Sequence, residues 1–347
     1  MIRAWSLVAV PAALVLERLV DAPVAAFALS LLGIFTLVGI MGRATERLSA
    51  KLGPTTGGLL NASLVNLPEV IIGTVALANG YPAVVKASLT GAILANLLLG
   101  LGVALVAGGL RHGDLRFDSG RLRISSSMLM LCAFCFIVPA VFNLGTPEGT
   151  RDLSVEMSLV LVAIYVLNVV VTVFVRGPAT GLVVEEEIVD EHPREPVWRS
   201  VAVLAATAAG LGIVSETMSK ALEPTAAALG LTQTFSGLVL LGAVGSLGEI
   251  LSGARFALQG RSSLLLSATV GSTIQTVLLV APLLVFAGQV LGQPMDLAFT
   301  SFEVVAIVLA TVITRELIQD GRANWFEGVL LLAAYAILAI GFFHLPA

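Results

Sequence analysis

Apolar stretches of membrane-spanning length follow one another along nearly the whole chain, separated by short polar or Gly/Pro breaks. About 20 apolar residues cross ~30 Å of hydrocarbon as a helix, so each stretch reads as a transmembrane helix. The pattern predicts about eleven helices in all. They run over 4–19, 23–42, 55–79, 83–110, 124–143 and 154–176, then 197–219, 231–258, 263–290, 297–317 and 324–343. Turn residues mark several breaks: Asn79-Gly80-Tyr81-Pro82, Gly145-Thr146-Pro147, Glu223-Pro224 and Gly292-Gln293-Pro294. The expected fold class is therefore an all-α polytopic membrane protein.

Two polar positions break this pattern at depth. Glu69 lies within LLNASLVNLPEVIIGTVAL and Glu249 within GLVLLGAVGSLGEILSGA. An ionisable group inside a bilayer costs roughly 2.5–3.5 kcal/mol on insertion scales and marks a functional site by default. The offset that carries Glu69 onto Glu249 also carries Gly57 onto Gly237, Leu67 onto Leu247, Gly73 onto Gly253, Gly80 onto Gly260 and Gly91 onto Gly271. No gap is needed, so the chain contains an internal repeat. Repeated broken helices carrying buried acids point to a cation transporter whose site lies between the repeats.

The basic residues orient the helices. With the N-terminus in the cytoplasm, the inside loops hold Arg3, Arg43, Arg47, Lys51, Arg111, Arg116, Arg121, Arg123, Arg176, Arg194, Arg199, Arg261, Arg315 and Arg322. The outside loops hold only Arg18, Arg151 and Lys220. The positive-inside rule favours this arrangement, which puts the C-terminus outside. Lys86 and Arg255 fall near helix ends, where long cationic side chains snorkel to the surface. The Glu69 helix then runs outward and the Glu249 helix inward, so the repeats are inverted, five helices against five. The expected division is an N-terminal helix at 1–22, a first repeat at 23–176, a cytoplasmic linker at 177–196 and a second repeat at 197–347. The linker carries Glu185, Glu186, Glu187, Asp190 and Glu191. It is either a solvated connector or an acidic segment that attracts cations to the cytoplasmic mouth.

Around the glutamates, oxygen donors recur at helical spacing. Asn66 stands one turn before Glu69, and Ser63 one turn before that. Pro68 removes a backbone donor and frees a carbonyl. The second copy offers Ser246, Glu249 and Ser252 among Gly245, Gly248 and Gly253. The next helix of each repeat supplies Asn96, and Ser272 with Gln275. These could instead be hydrogen-bonding partners between closely packed helices. A hard cation such as Ca²⁺ takes 6–8 oxygens, carboxylates among them, which suits the set. Glu216 and Glu303 are further candidate acids, Glu216 near the outer end of its helix, where it can reach water, and Glu303 some two turns inside the outer surface.

Composition narrows the class. The chain is 57% hydrophobic and 12% charged, unlike a soluble domain, and no nucleic-acid partner is expected. Cys132 and Cys135 sit in an apolar run without a second metal-ligand pair, which reads as packing. The N-terminal stretch ends in Glu17-Arg18 without a clear cleavage site and reads as a membrane helix. There is no Walker A loop, HExxH or Gly-x-Ser-x-Gly, hence no visible ATP drive, no cofactor and no enzyme. A channel or an intramembrane enzyme remains as another class; sealed-vesicle flux separates them, because only an antiporter couples opposing fluxes. The sequence leaves open whether the chain is a homo-oligomer.

The segment GLLNASLVNLPEVIIGTVAL resembles the first signature of the calcium/proton exchangers, and LVLLGAVGSLGEILSGA followed by SATVGSTIQTVLLVAPLLV resembles the second. QDGRANWFEGVLLLAAYAILAIGFF is similar to that family's last helix, and EEEIVDE stands where the family has its acidic linker. The resemblance covers nearly the whole chain. It implies an extra helix plus two inverted five-helix repeats in the calcium/cation antiporter superfamily. It implies Ca²⁺ export driven by inward protons, with Glu69 and Glu249 alternately holding Ca²⁺ and H⁺, and the expected location is the plasma membrane. The chain departs from the family pattern at Ser246 for Asn, Ile250 for His, Ala92 and Ala95 for Ser, Ile274 for Thr, and at Val65 and Pro68. Because several oxygen ligands are lost, Na⁺ or K⁺ exchange against protons is the alternative on the same fold.

Overall fold

The computed structural model describes residues 22–142, 146–174 and 196–345, most of them helical. Helix α1 (Pro23–Leu64) is continuous by hydrogen bonding but not straight. A Cβ on Gly57 would collide with the backbone carbonyl of Ser49. On a straight helix those residues stand about 12 Å apart along the axis. The chain therefore bends sharply between Ser49 and Gly57, and its membrane-length part is Pro23–Leu52. Where the hydropathy pattern predicts one helix over 55–79, the structure breaks at Val65-Asn66 and restarts as α2 (Leu67–Ala78).

Helix α3 (Pro82–His112) passes through a wide i→i+5 turn at Ala95–Gly100. A two-residue strand β1 (Leu115–Arg116), α4 (Ser119–Val141) and α5 (Pro147–Phe174) follow. The second half contains α6 (Val197–Leu229), α7 (233–245) and α8 (Leu247–Leu258). Then come α9 (Ser262–Val290), α10 (Ser301–Ile318), β2 (Arg322–Ala323) and α11 (Trp325–Phe343). Among the described residues seven helices are long and apolar enough to cross a membrane. Strand β1 pairs antiparallel with β2, Leu115 opposite Ala323, tying the loop after α3 to the loop before α11. The expected helix at 4–19 and the acids Glu185, Glu186, Glu187, Asp190 and Glu191 lie outside the described residues.

The sequence offset is also visible in the backbone. Helices α2 and α8 begin at matching residues, Leu67 and Leu247. Their cap residues share one conformation: Asn66 at φ −93°, ψ 3° and Ser246 at φ −88°, ψ 5°. The turns that follow use Gly80 at φ 81° and Gly260 at φ 72°, a left-handed region where glycine carries no Cβ penalty. The wide turns at Ala95–Gly100 and Thr276–Val280 start within one residue of each other under the same offset. Pro68 is the second residue of α2, where a missing N–H costs nothing, and Gly248 takes the matching place in α8.

Two hydrophobic cores hold these elements. The smaller is built almost entirely by α1 and α6, through Phe27, Ile34, Leu37 and Met41 against Leu211, Val214, Met218 and Leu222. The larger joins α2, α3, α4, α5, α7, α8, α9, α10 and α11. Helices α3 and α7 cross in backbone contact, since a Cβ on Gly91 would strike the Leu238 carbonyl and one on Gly242 would strike the Gly91 backbone. Lys86 does not snorkel as its position suggests. It pairs with Asp296 at 2.8 Å and donates to the Ala298 carbonyl, because the segment between α9 and α10 folds over the start of α3.

Candidate functional site

Each of the two breaks presents a helix N-terminus inside the protein. Glu69 and Glu249 are both the third residue of their helices, one turn after a buried cap residue. The partial positive charge of a helix N-terminus favours a carboxylate there.

Helix α9 gathers the partners of the first copy along one face. Asn66 donates its amide to Gln275 Oε1 at 2.6 Å. Thr276 donates its hydroxyl to Glu69 Oε2 at 3.3 Å. Asn96, on α3, donates its amide to Ser272 Oγ at 3.4 Å. Ser272, Gln275 and Thr276 are three and four residues apart, so a single helix face meets both the start of α2 and α3. The wide turns that bracket these residues are typical of functional positions in helices.

What these bonds leave over is more informative than what they satisfy. Glu69 Oε1, Glu249 Oε2, Asn96 Oδ1 and Ser246 Oγ are buried with no hydrogen-bond partner. Buried polar atoms in folded proteins are almost always paired. All four atoms here are oxygens that can accept, and they belong to the two glutamates and two of their predicted companions. Such a set suits a hard cation or a proton. Among the described residues, no cluster of three His, Cys, Asp or Glu side chains offers an alternative metal site.

A cavity of about 60 Å³ reaches Glu69. That is room for a few waters. Its walls include Ile34 of α1, Met218 of α6, Ser88 and Ala92 of α3, and Tyr81 in the turn between α2 and α3. Glu249 does not line it.

The remaining predicted residues fall elsewhere. Ser63 is exposed at the end of α1, outside the buried cluster. Glu216 is exposed and pairs with Lys220 at 2.8 Å, one turn along α6. Glu303 is buried, but its carboxylate caps α10: it accepts from Thr300 N at 2.9 Å and Thr300 Oγ1 at 2.8 Å, and from Thr90 at 3.3 Å. Neither acid joins the cluster. Thr276 is the residue that sequence reasoning missed. The signal was available, since the repeat offset carries Asn96 onto Thr276.

The sequence model of a family described as sodium/calcium exchanger protein matches residues 22–174 and 199–343. The chain is 35% identical over 339 residues to a Ca²⁺/H⁺ antiporter of Aphanothece halophytica, covering 93% of this chain and 91% of that protein. It is 36% identical over 328 residues to the Ca²⁺/H⁺ antiporter ChaA of Bacillus subtilis, covering 92% of each. Among solved structures, native YfkE superposes with a TM-score of 0.85 at 31% identity, over 99% of this chain and 100% of that one.

Proposed function

The chain belongs to the sodium/calcium exchanger protein family, in its calcium/proton exchanger branch, and from that premise we propose that it is a secondary active antiporter that exports Ca²⁺ in exchange for protons. The observation that carries the proposal is the group of four unpartnered buried oxygens around Glu69 and Glu249. A carboxylate can hold a cation or a proton in the same place, and exchange needs that alternation. Asn66, Ser246, Asn96, Ser272 and Gln275 complete the oxygen set, with Thr276 holding Glu69 in position. Ca²⁺ entering from the cytoplasm displaces the protons, and protons from outside displace Ca²⁺ after the site has changed sides.

The architecture proposed for this cycle is one N-terminal helix at 1–22 and two inverted five-helix repeats, 23–176 and 197–347. The excess of basic residues in alternate loops supports a cytoplasmic N-terminus and an external C-terminus in the plasma membrane. On that orientation the cavity beside Tyr81 leads to Glu69 from outside. The acids of the 177–196 linker would then stand at the cytoplasmic mouth and raise the local cation concentration within about one Debye length, ~8 Å at physiological salt.

The test is coupled flux in sealed inside-out vesicles. Ca²⁺ addition should release protons from a preformed gradient, and a panel of Ca²⁺, Mg²⁺, Na⁺ and K⁺ ranks the cargo. Proton release driven by Na⁺ or K⁺ but not by Ca²⁺ would replace the Ca²⁺ assignment. Cation movement that never moves protons would reject antiport.

A further inference from the structure

Ser219 lies on α6 and lines the cavity that reaches Glu69. Among the described residues, the α1–α6 pair gives that cavity Leu31, Ile34, Met218, Leu222 and this one hydroxyl. Ser219 is 2% exposed, and its Oγ has no hydrogen-bond partner. A hydroxyl within a helix can bond a carbonyl of the preceding turn. Thr207 and Thr217 do so on the same helix, to Val203 and Ile213. Ser30 and Ser215 of the same helix pair are also unpartnered, but neither lines the cavity. Ser88, on the opposite wall, has given its hydrogen to the Val85 carbonyl at 2.9 Å. Ser219 can still donate and accept at once.

The chemistry of the wall decides what this hydroxyl can serve. Most of the wall is apolar, with Ile72, Ala76, Val84 and Leu89 among its residues. A hard cation takes 6–8 oxygens, which such a wall does not offer. A proton needs only a short file of waters between groups that donate and accept, and about 60 Å³ holds one. A buried water needs 2–4 polar partners. Ser219 Oγ and Glu69 Oε1 are two unpartnered oxygens on residues of the same cavity. We propose that Ser219 anchors the water that hands protons to Glu69, so that α6 supplies a positioning residue for the proton half of the cycle. This rests on the antiport reading above. The anchored water gives one hydrogen to Glu69 Oε1 and takes a proton from the next water outward. One O–H bond breaks and one forms on that water, the carboxylate becomes a carboxylic acid, and the serine keeps its own hydrogen.

Two fluxes measured in sealed vesicles of the full chain test this. Ca²⁺-driven proton release needs the relay. Self-exchange of radiolabelled Ca²⁺, at equal Ca²⁺ on both sides, does not, because no proton has to reach the site. Ser219→Ala should slow proton release about tenfold and leave self-exchange within about twofold of the wild type. Ser219→Thr keeps a hydroxyl and should restore most of the proton flux, whereas Ser219→Val, of the same shape without the hydroxyl, should not. The Thr and Val variants carry the comparison if the alanine variant does not express. Ser215→Ala, one turn away with its hydroxyl off the cavity, should change neither flux. Unchanged proton release in Ser219→Ala, equal loss of both fluxes in it, or equal proton release in the Thr and Val variants would overturn the relay. A loss of proton release in Ser215→Ala as large as in Ser219→Ala would trace the effect to helix packing and overturn it too. Self-exchange in a wild type that releases no protons would instead reject the antiport reading, and the relay with it.

Discussion

A buried oxygen without a donor costs about 1–3 kcal/mol, more when it is charged. Other buried hydroxyls of α1 and α6 also lack a partner, but the four atoms around Glu69 and Glu249 belong to two carboxylates and their companions, a set that an ion or a proton can occupy during the working cycle. We therefore expect Glu69→Gln and Glu249→Gln each to reduce Ca²⁺-driven proton release by at least about 100-fold in vesicles, with the protein still folded. Glutamine keeps the size and one oxygen but cannot exchange a proton for a cation. Coupled flux near the wild-type level in either variant would remove that residue from the mechanism. Ser246 offers a second test. Its hydroxyl is buried and unpartnered where the family pattern has an amide. Ser246→Asn should lower the Ca²⁺ concentration for half-maximal proton release by a few-fold, because an amide carbonyl reaches further and is a stronger ligand for a hard cation. An unchanged ion series would show that position 246 does not meet the ion. The glutamates could be read from the sequence because a charge in an apolar run has no cheap explanation. Thr276 could not be read that way. A threonine in a membrane helix usually bonds its own backbone, as Thr273 does to the Thr269 carbonyl at 3.2 Å.

At the scale of elements, hydropathy located the apolar helices among the described residues but not where they break. Pro68 signals a disturbance near Glu69, yet the second copy breaks at the same place with Gly248 and no proline. Both breaks fall at Asn66 and Ser246, which share one backbone conformation and precede the next helix without a side-chain capping hydrogen bond. Nothing in a hydropathy window registers a two-residue interruption. The same holds for the wide turns in α3 and α9, whose residues are as apolar as their neighbours. The glycine spacing did carry information. Gly91, matched to Gly271 in the sequence, is where α3 meets the backbone of α7. Gly91→Ala should destabilise the protein by about 1–3 kcal/mol, since its methyl would meet a carbonyl that cannot move aside. A lower melting temperature in detergent is the expected readout. Gly42, which has open space around it, is the control, and its alanine variant should melt within about a degree of the wild type.

At the scale of the molecule, the division into two cores has a mechanical consequence. Helices α1 and α6 pack mainly on each other, and among the described residues Val84 is the only buried member of their core that comes from another element. A pair bound together more extensively than to its surroundings can move as a unit, and alternating access requires such a unit. The cavity that reaches Glu69 runs along the seam between this pair and the larger body, lined by Ile34 and Met218 on one side and Ser88 and Ala92 on the other. The side of the membrane proposed for it rests on the loop charges, and is testable by access. In a background with Cys132 and Cys135 changed to alanine, both being buried and free of disulfides, Ser88→Cys places one thiol on the cavity wall. A membrane-impermeant thiol reagent should label it from outside about tenfold faster than from the cytoplasm when the protein rests without a Ca²⁺ gradient. Cytoplasmic Ca²⁺ should then slow external labelling, because loading from the inside draws the population toward the opposite-facing state. Faster labelling from the cytoplasmic face would reverse the orientation assigned from the arginines. Labelling that is equal from both faces and indifferent to Ca²⁺ would mean a continuous pore, and the exchanger cycle would fall with it.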